Sequence, residues 1–264
     1  MKNDKKRVTS FRLSDSNIIK LEYRESLSST VALAREYARG GYPDRYVIMT
    51  ENQTSTAITG TKLAEGDSEH GVFISCILRP SFFPSQAGLL GPISAAALIA
   101  ALEEHTTKRL GIGWVSDIFC EGKKIGGVAI EGKLDSFSSY EYLIVSFAVR
   151  LDNANFPPRL TDMIRKVFES ENASVAMIIA KTVLTRFFAA YTDIKNPGKM
   201  MDIYKGRFIL TGKKIKYVEG GKRHICRVVD VDRQTATLTV ELRGGEKRKI
   251  TSPSGVIIPN KIKI

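Results

Sequence analysis

Cysteine and histidine are scarce in this chain, which has three of each among its 264 residues. Cys76, Cys120 and Cys226 are far apart and form no CxxC pair, so their spacing predicts neither a disulfide framework nor a structural zinc site. Cys76 and Cys120 lie in apolar runs, where cysteine usually acts as a small hydrophobic side chain. These features favour a reduced, cytoplasmic protein without a metal centre of its own.

Long hydrophobic runs are missing as well. No 18 consecutive residues are apolar, and the nearest stretch, residues 173–190, contains Lys181 and Arg186. No apolar stretch of signal-peptide length follows the basic N-terminus. The sequence therefore predicts neither a membrane span nor a signal peptide. Generic catalytic patterns are absent too, since there is no GxSxG, HExxH, GxGxxG or GxxxxGKS/T motif.

Acidic residues are outnumbered, but only at the two ends of the chain. The formal net charge is +12, from 40 basic and 28 acidic residues. Residues 1–9 contribute +3 and residues 201–264 contribute +9, so the middle of the chain is balanced. A basic excess is typical of proteins that bind polyanions, yet here it belongs to the ends. The change in composition predicts a domain boundary near Met200.

Hydrophobic periodicity and turn residues predict an α+β domain followed by a small basic β-barrel. The predicted helices span residues 31–39, behind an N-cap at 28–30, and residues 92–110, 158–168 and 173–190. Residues 51–60 are predicted to be a loop. Predicted strands of the first domain span residues 45–50, 71–78, 118–120, 125–130 and 140–149, with a hairpin turn at 121–123. Predicted strands of the barrel span residues 207–216, 224–231, 235–242 and 247–251.

Five segments resemble, in the same order, the motifs of one known family. They are residues 28–31 (SSTV), 46–54 (YVIMTENQT), 71–80 (GVFISCILRP), 113–117 (GWVSD) and 122–131 (GKKIGGVAIE). The family is that of the biotin–protein ligases, the biotin–acetyl-CoA-carboxylase ligases. Its corresponding motifs are Ser-Thr-Asn, Glu-x-Gln-Thr, Gly-Leu-x-Phe-Ser-x-x-Leu-Arg-Pro, Lys-Trp-Pro-Asn-Asp and Lys-x-x-Gly-Ile-x-x-Glu. The resemblance covers nearly the whole chain from about Leu27.

The resemblance implies a mixed sheet flanked by helices, the class II aminoacyl-tRNA synthetase-like catalytic fold of biotin ligases, plus a small C-terminal SH3-like β-barrel. The expected organisation is an N-terminal basic tail and first strand in residues 1–26, a catalytic domain in residues 27–195, and the barrel in residues 200–264. Only about 25 residues precede the Ser-Thr segment. This is too few for the winged-helix domain found in part of the family, so operator binding is not expected.

The resemblance also implies a two-step reaction, in which biotin and ATP form biotinyl-5′-adenylate and a lysine of the biotin carboxyl carrier domain of a carboxylase then attacks it. The biotin carboxylate and the α-phosphate are both anions that must approach to about 3 Å. Cations, including Mg²⁺, and backbone N–H groups must offset their repulsion. Lys124 matches the family's catalytic lysine. By residue type alone it would be a solvated hairpin charge, as is expected of its neighbour Lys123.

Ligand-binding residues are implied in the same way, by their match to the family's motifs. The implied biotin site comprises Ser29, Thr30, Gln53, Trp114, Gly126 and Gly127. The implied adenylate or ATP site comprises Thr59, Gly60, Lys62, Asp117, Ser146, Ala148 and Arg150. Each assignment has a plain structural alternative. Ser29 and Thr30 suit a helix N-cap, the two glycines suit a β-bulge, and Trp114 suits the core.

The chain departs from the family pattern at positions that face the nucleotide. Residues 55–61 (STAITGT) replace the family's Gly-Arg-Gly-Arg-Arg-Gly loop, so no arginine remains there. Gly113 replaces the lysine of Lys-Trp-Pro-Asn-Asp. Residues 146–150 (SFAVR) replace Gly-x-Gly-x-Asn, which puts side chains where glycine is usual. Each lost charged hydrogen bond would weaken nucleotide binding by about 1.5–3 kcal/mol.

Two interpretations follow, of which the first is favoured. In the first, the chain is a divergent but active ligase in which Lys62, Lys124 and Mg²⁺ supply the cations. In the second, it keeps the fold without adenylation and serves as a binding or regulatory protein. A weaker third hypothesis is nucleic-acid binding through the basic barrel, which has few aromatic residues for stacking. An acidic carrier domain is an equally suitable polyanion. A homodimer is a further expectation, and lipoate or a similar acid in place of biotin stays open.

Overall fold

The computed structural model describes residues 6–14, 17–54, 57–58, 61–62, 70–150 and 175–262. The strands are β1 (Arg7–Ser14), β2 (Asn17–Leu27), β3 (Tyr46–Gln53), β4 (Ala57–Ile58), β5 (Thr61–Lys62), β6 (His70–Leu78), β7 (Leu110–Gly113), β8 (Asp117–Cys120), β9 (Lys123–Leu134), β10 (Tyr140–Arg150), β11 (Lys214–Glu219), β12 (Lys222–Val231), β13 (Leu238–Leu242), β14 (Lys247–Ile250) and β15 (Val256–Ile257). The helices are α1 (Thr30–Arg39), α2 (Leu90–Leu102), α3 (Val175–Thr192) and α4 (Gly198–Arg207), with a 3-10 helix at Pro84–Leu89.

The centre of the molecule is an eight-stranded mixed sheet in the order β1-β2-β3-β6-β10-β9-β8-β7. β2 and β3 are parallel, and α1 connects them across one face of the sheet, whereas the other neighbours are antiparallel. Ser29 caps α1 because its side chain accepts a hydrogen bond from the amide of Ala32. The α+β class and the helix N-cap predicted from the sequence are therefore confirmed.

The opposite face of the sheet is covered by α2 and α3. Almost every residue of α2 is buried, which is expected of a helix that is apolar all round and lies between a sheet and other helices. The predicted helix over residues 92–110 was too long, because α2 ends at Leu102 and Leu110 pairs with Cys120 in the sheet. The predicted helix over residues 173–190 is α3, and the one over 158–168 lies outside the described residues.

The predicted hairpin is present and tighter than expected. Cys120 pairs directly with Lys123, so the turn consists of Glu121 and Gly122 alone. Both have positive φ, 47° and 81°, as the two-residue turns that suit twisted hairpins require. The register then shifts by one residue at Ile125, which makes a β-bulge at the start of β9.

The N-terminal part of the described chain contains two strands, β1 and β2, where the sequence predicted one. β1 and β2 form an antiparallel hairpin that continues the sheet, with β1 at its edge.

The predicted loop over residues 51–60 was also wrong at its start, since β3 extends to Gln53. β3 forms hydrogen bonds with strands β2 and β6, which are distant in sequence, so its full length is not visible in the local residue pattern.

The C-terminal part begins with a helix, α4, that was not predicted. Pro197 and Gly198 indicated a break, but a proline at the start of a helix is favourable because its missing N–H is not needed there. The predicted strand over residues 207–216 was therefore wrong over most of its length. The five strands β11 to β15 form an antiparallel sheet in the order β14-β13-β12-β11-β15. An SH3-like barrel stays a prediction.

The C-terminal sheet packs on the central one through a continuous hydrophobic core. Phe208 forms a β-bridge to Ile112, and Lys261 forms one to Lys123. The described helices include none that is long and apolar enough to cross a membrane.

Candidate functional site

Four polar side chains form a hydrogen-bonded chain between α1 and the central sheet. Gln53 Oε1 accepts from the backbone N–H of Thr30 at 3.0 Å and from the Thr30 hydroxyl at 3.2 Å. Ser75 Oγ lies 3.0 Å from Thr30 Oγ1 and 2.9 Å from Ser146 Oγ. All four residues are 2% exposed or less. Buried hydroxyl and amide groups at this depth are stable because they satisfy each other.

The backbone N–H of Thr30 sets the direction of every hydrogen bond in this chain. It can only donate, so the Gln53 oxygen faces Thr30 and the Gln53 amide nitrogen lies on the other side of the carboxamide. The Thr30 hydroxyl must then donate to Gln53, and the single Ser75 proton goes to Thr30. Ser146 therefore donates to Ser75. The Gln53 end carries a donor, and the Ser146 oxygen is left with acceptor capacity.

Strand alternation explains why these residues meet. Phe73, Ser75 and Ile77 share one face of β6, and Ser146 is the direct neighbour of Ser75 on β10. Ser146 was predicted in the adenylate site, whereas the structure joins it to Gln53 and Thr30 of the predicted biotin site. Ser75 was not predicted, although its position in the alternating pattern of β6 was a usable signal.

Lys124 lies in a partly buried ion pair. Its Nζ is 2.7 Å from Asp117 Oδ1, and its side chain is 8% exposed. The backbone N–H of Lys124 donates to the carbonyl of Asn260 at 2.9 Å, which ties the hairpin to the C-terminal segment. Lys123 is exposed, as predicted. The interpretation of Lys124 as a solvated turn charge does not fit this environment.

The Lys124–Asp117 pair lies on the wall of a cleft of about 850 Å³ between the two sheets. Trp114 also contributes to this wall while being 4% exposed, so its roles as core and pocket residue coexist. Its indole N–H donates to the carbonyl of Ala236 at 2.7 Å. The opposite wall is made by the residues of the C-terminal part, Thr235, Ala236, Thr251, Ser252, Pro253, Ser254, Gly255, Val256, Ile257, Ile258 and Asn260.

Two adjacent glycines bring the backbones close together beside this pair. A Cβ on Gly126 would overlap the carbonyl oxygen of Ala148, and one on Gly127 would lie 2.8 Å from that of Ser116. The close approach of strands at the β-bulge is thus sufficient to explain glycine at both positions. Ala148 is buried and packs in a small cluster with Val31 and Phe73.

The other predicted residues are not gathered at one place by the described structure. Ser29 serves as the N-cap of α1 and is 9% exposed. Arg150 ends β10 opposite Gly71. Lys62 lies in the short strand β5, and its side chain is not described. Thr59 and Gly60 lie outside the described residues.

Metal ions in proteins are usually held by clustered His, Cys, Asp and Glu side chains. Within the residues that the structure describes, no group of three or more His, Cys, Asp or Glu side chains is placed to hold a metal ion. The Asp117 carboxylate already binds Lys124.

A second buried carboxylate lies on β2. Glu22 is 0% exposed and accepts hydrogen bonds from Tyr46 at 2.6 Å and Arg24 at 2.9 Å, with Lys6 Nζ at 3.0 Å. Burial by itself would raise the pKa of Glu22. The hydrogen bonds from Tyr46, Lys6 and Arg24 outweigh burial and hold the pKa of this carboxyl below its usual value.

A scan against models of protein families finds no match. The bifunctional ligase/repressor BirA of Bacillus subtilis is 24% identical over 180 residues, which cover 67% of this chain and 55% of BirA. The structure of the biotin protein ligase from Aquifex aeolicus in complex with biotin and ATP is similar with a TM-score of 0.63 and 18% identity, covering 90% of this chain and 97% of that chain. A biotin protein ligase-like protein of unknown function from Silicibacter is similar with a TM-score of 0.62 and 12% identity, covering 93% and 97%.

The fold is thus the one shared by biotin protein ligases, an α+β architecture with a mixed sheet. The chain is also similar in sequence to the curated BirA proteins of two Bacillus species, at 24% and 23% identity. The chain spans 55% of the length of the curated relatives that it matches.

Proposed function

We propose that this protein is an ATP-dependent biotin–protein ligase, which forms biotinyl-5′-adenylate and transfers biotin to a lysine of the biotin carboxyl carrier domain of a carboxylase. The observation that carries the proposal is the environment of Lys124. A lysine beside a β-turn is normally solvated, yet this one is 8% exposed and ion-paired on the wall of a cleft. A lysine held in this way is more often part of a site than of a surface.

Lys124 would bind the two reacting anions in the first step. The biotin carboxylate and the α-phosphate repel each other as they approach, and a fixed ammonium between them lowers the energy of the developing charge. Asp117 holds the Lys124 side chain in one position, so little ordering is needed when the substrates bind. Lys62 is the second proposed cation, since residues 55–61 contain no arginine.

The buried chain of Gln53, Thr30, Ser75 and Ser146 is the proposed recognition site for the head group of the acid. Because the Gln53 oxygen faces Thr30, its amide nitrogen, which is a donor, lies on the other side of the carboxamide. The ureido carbonyl of biotin is an acceptor that fits such a donor. This polarity supports biotin over lipoate, whose dithiolane ring has no comparable hydrogen-bond acceptor.

The carrier domain is the proposed partner of the basic C-terminal part. Lys214, Lys216 and Arg227 are exposed on the adjacent strands β11 and β12. Exposed lysine and arginine side chains favour the approach of an acidic domain by long-range attraction. A cytoplasmic location and a homodimer belong to the same proposal, whereas nucleic acid is not a proposed partner.

The test is a measurement of biotin-dependent pyrophosphate exchange and of biotin transfer to a carrier domain, with wild-type protein and the variants Lys124→Ala and Lys123→Ala. Loss of exchange by a factor of about 100 or more is expected for Lys124→Ala, because one charged group in a catalytic centre contributes several kcal/mol. Lys123→Ala is the matched control and should retain the wild-type rate. An active Lys124→Ala variant would refute the residue assignment, and an inactive wild type would refute the ligase.

A second candidate function is ligand binding without adenylation. It is favoured by Ser146 and Ala148, whose buried side chains occupy the α1 face of β10 at positions where the family has glycine. Calorimetric titrations with biotin and with ATP separately distinguish the two functions. Binding of biotin without binding of ATP would support the second candidate, and binding of both supports the ligase.

A further inference from the structure

The outward face of the C-terminal sheet is strongly basic. Strand alternation places every second residue of β11 to β14 on this face, while Ile215 and Val228 point to the core. Six exposed cations share the face: Lys214, Lys216, Arg223, Arg227, Lys247 and Lys249. None of the six has an ion-pair partner among the described residues. Of the acids Asp230 and Glu241 on the same face, Asp230 is already paired with Lys205 at 2.7 Å. The face therefore carries a positive charge that the described chain does not neutralise.

An apolar strip crosses this basic face. Ile225 of β12 pairs with Lys216 of β11, and Lys216 pairs with Ile257 of β15. Directly opposite residues lie about 5 Å apart at Cβ, so the two isoleucines flank the aliphatic stem of Lys216. Ile225 is 63% exposed and Ile257 is 47% exposed, whereas isoleucine is usually buried. An apolar centre within a charged rim is the usual composition of a protein-binding surface.

The strip is continuous with the cleft that contains Lys124, because Ile257 belongs to both. A second copy of the chain does not fit the basic face, since two such surfaces would repel each other. Nucleic acid fits the cations but not the isoleucines, because surfaces that bind unpaired bases use aromatic rings for stacking. An acidic protein with an apolar patch fits both features.

We propose that this face docks an acidic protein domain, with Ile225 and Ile257 against its apolar surface and the six cations against its acidic rim. The identification of that domain as the biotin carboxyl carrier domain rests on the proposed ligase function, whereas the docking face itself does not. A carrier domain bound here lies beside the cleft in which its lysine has to react.

The apolar strip is tested by the affinity of the protein for a fluorescently labelled, unbiotinylated carrier domain of acetyl-CoA carboxylase, measured by fluorescence anisotropy. Ile225→Thr keeps a β-branched residue in the strand and removes apolar surface, so we expect Kd to rise about fivefold. Ile18→Thr is the matched control on β2, where Ile18 is 53% exposed, and should keep the wild-type Kd. An unchanged Kd in Ile225→Thr would overturn the docking face.

The charged rim is tested in the same assay with the double variant Lys216→Glu, Arg227→Glu. Its Kd should rise about tenfold at about 50 mM salt and much less at about 500 mM salt, because salt screens charges at an exposed rim. The matched control is Lys20→Glu, Lys181→Glu, which makes the same change of charge at exposed positions of β2 and α3. Equal effects of the two double variants would overturn the role of the rim.

A fluorescent DNA duplex in the same titration separates the two kinds of polyanion. DNA binding that is tighter than carrier binding, and that is lost in Lys216→Glu, Arg227→Glu, would overturn the assignment to a protein partner. Absence of carrier binding by the wild type would overturn the docking of the carrier, whether or not the protein is active. If the wild type binds the carrier but shows no biotin-dependent pyrophosphate exchange, the ligase proposal fails, and the Kd of Ile225→Thr still decides the docking face.

Discussion

The direction of the buried hydrogen-bond chain predicts an unusual stability pattern for two serine variants. Ser75→Ala leaves the Ser146 hydroxyl proton without its acceptor in a site that is 1% exposed. A buried donor without a partner costs about 1–3 kcal/mol, so we expect a loss of about 2 kcal/mol in the free energy of unfolding. Ser146→Ala leaves Ser75 still donating to Thr30 and should cost about 0.5–1 kcal/mol.

The double variant makes this prediction sharper. Removing both hydroxyls leaves no unsatisfied donor, so Ser75→Ala with Ser146→Ala should cost about 1 kcal/mol, less than Ser75→Ala alone. Urea unfolding followed by circular dichroism gives the free energies. Thr185→Ala, which removes an exposed helix hydroxyl, is the control and should lie within about 0.5 kcal/mol of the wild type. A larger loss for Ser146→Ala than for Ser75→Ala, or additive losses in the double variant, would refute the assigned direction.

Three further predictions concern acid stability and two glycines. Folding lowers the pKa of Glu22, so the stabilising contribution of this carboxylate is complete above about pH 4.5 and is lost as the pH falls through the folded-state pKa. The urea unfolding midpoint of the wild type should therefore fall more steeply in acid than that of the variant Glu22→Gln. Gly126→Ala should destabilise the protein by about 3 kcal/mol or more in urea unfolding, because its Cβ would overlap the carbonyl oxygen of Ala148. Gly206 is exposed on helix α4, and a Cβ added there would have no atom within 4 Å. Gly206→Ala should therefore stabilise the protein by about 0.5–1 kcal/mol. A lower melting temperature for this variant in a thermal melt would contradict the open space around Gly206.

The elements with strong local signals were predicted correctly. The Ser29 cap and α1 follow from side-chain capping, and the turn at Glu121–Gly122 follows from the preference of glycine for positive φ. These features depend on interactions within one stretch of chain.

The failures have a common physical cause, which is competition between local pattern and tertiary pairing. The helical pattern across Leu110 lost to strand pairing with Cys120, and the polar residues after Thr50 joined β3. α4 was missed because Pro197 signals both a break and a helix start. The residue types in these segments could not predict the observed structure, because the residues that pair or pack with them lie elsewhere in the sequence.

The amino-acid sequence by itself determined the class of fold, the family resemblance and the residues able to carry a charge or a hydrogen bond. Only the tertiary structure decided how those residues are combined. It placed Ser146 against Ser75, and thus in the hydrogen-bonded chain of side chains that ends at Gln53. It also completed the wall of the cleft beside Lys124 with residues that follow Ile250. The reason is that strand order and domain packing bring together groups far apart in sequence, and the faces they share depend on burial of the whole core rather than on any local pattern.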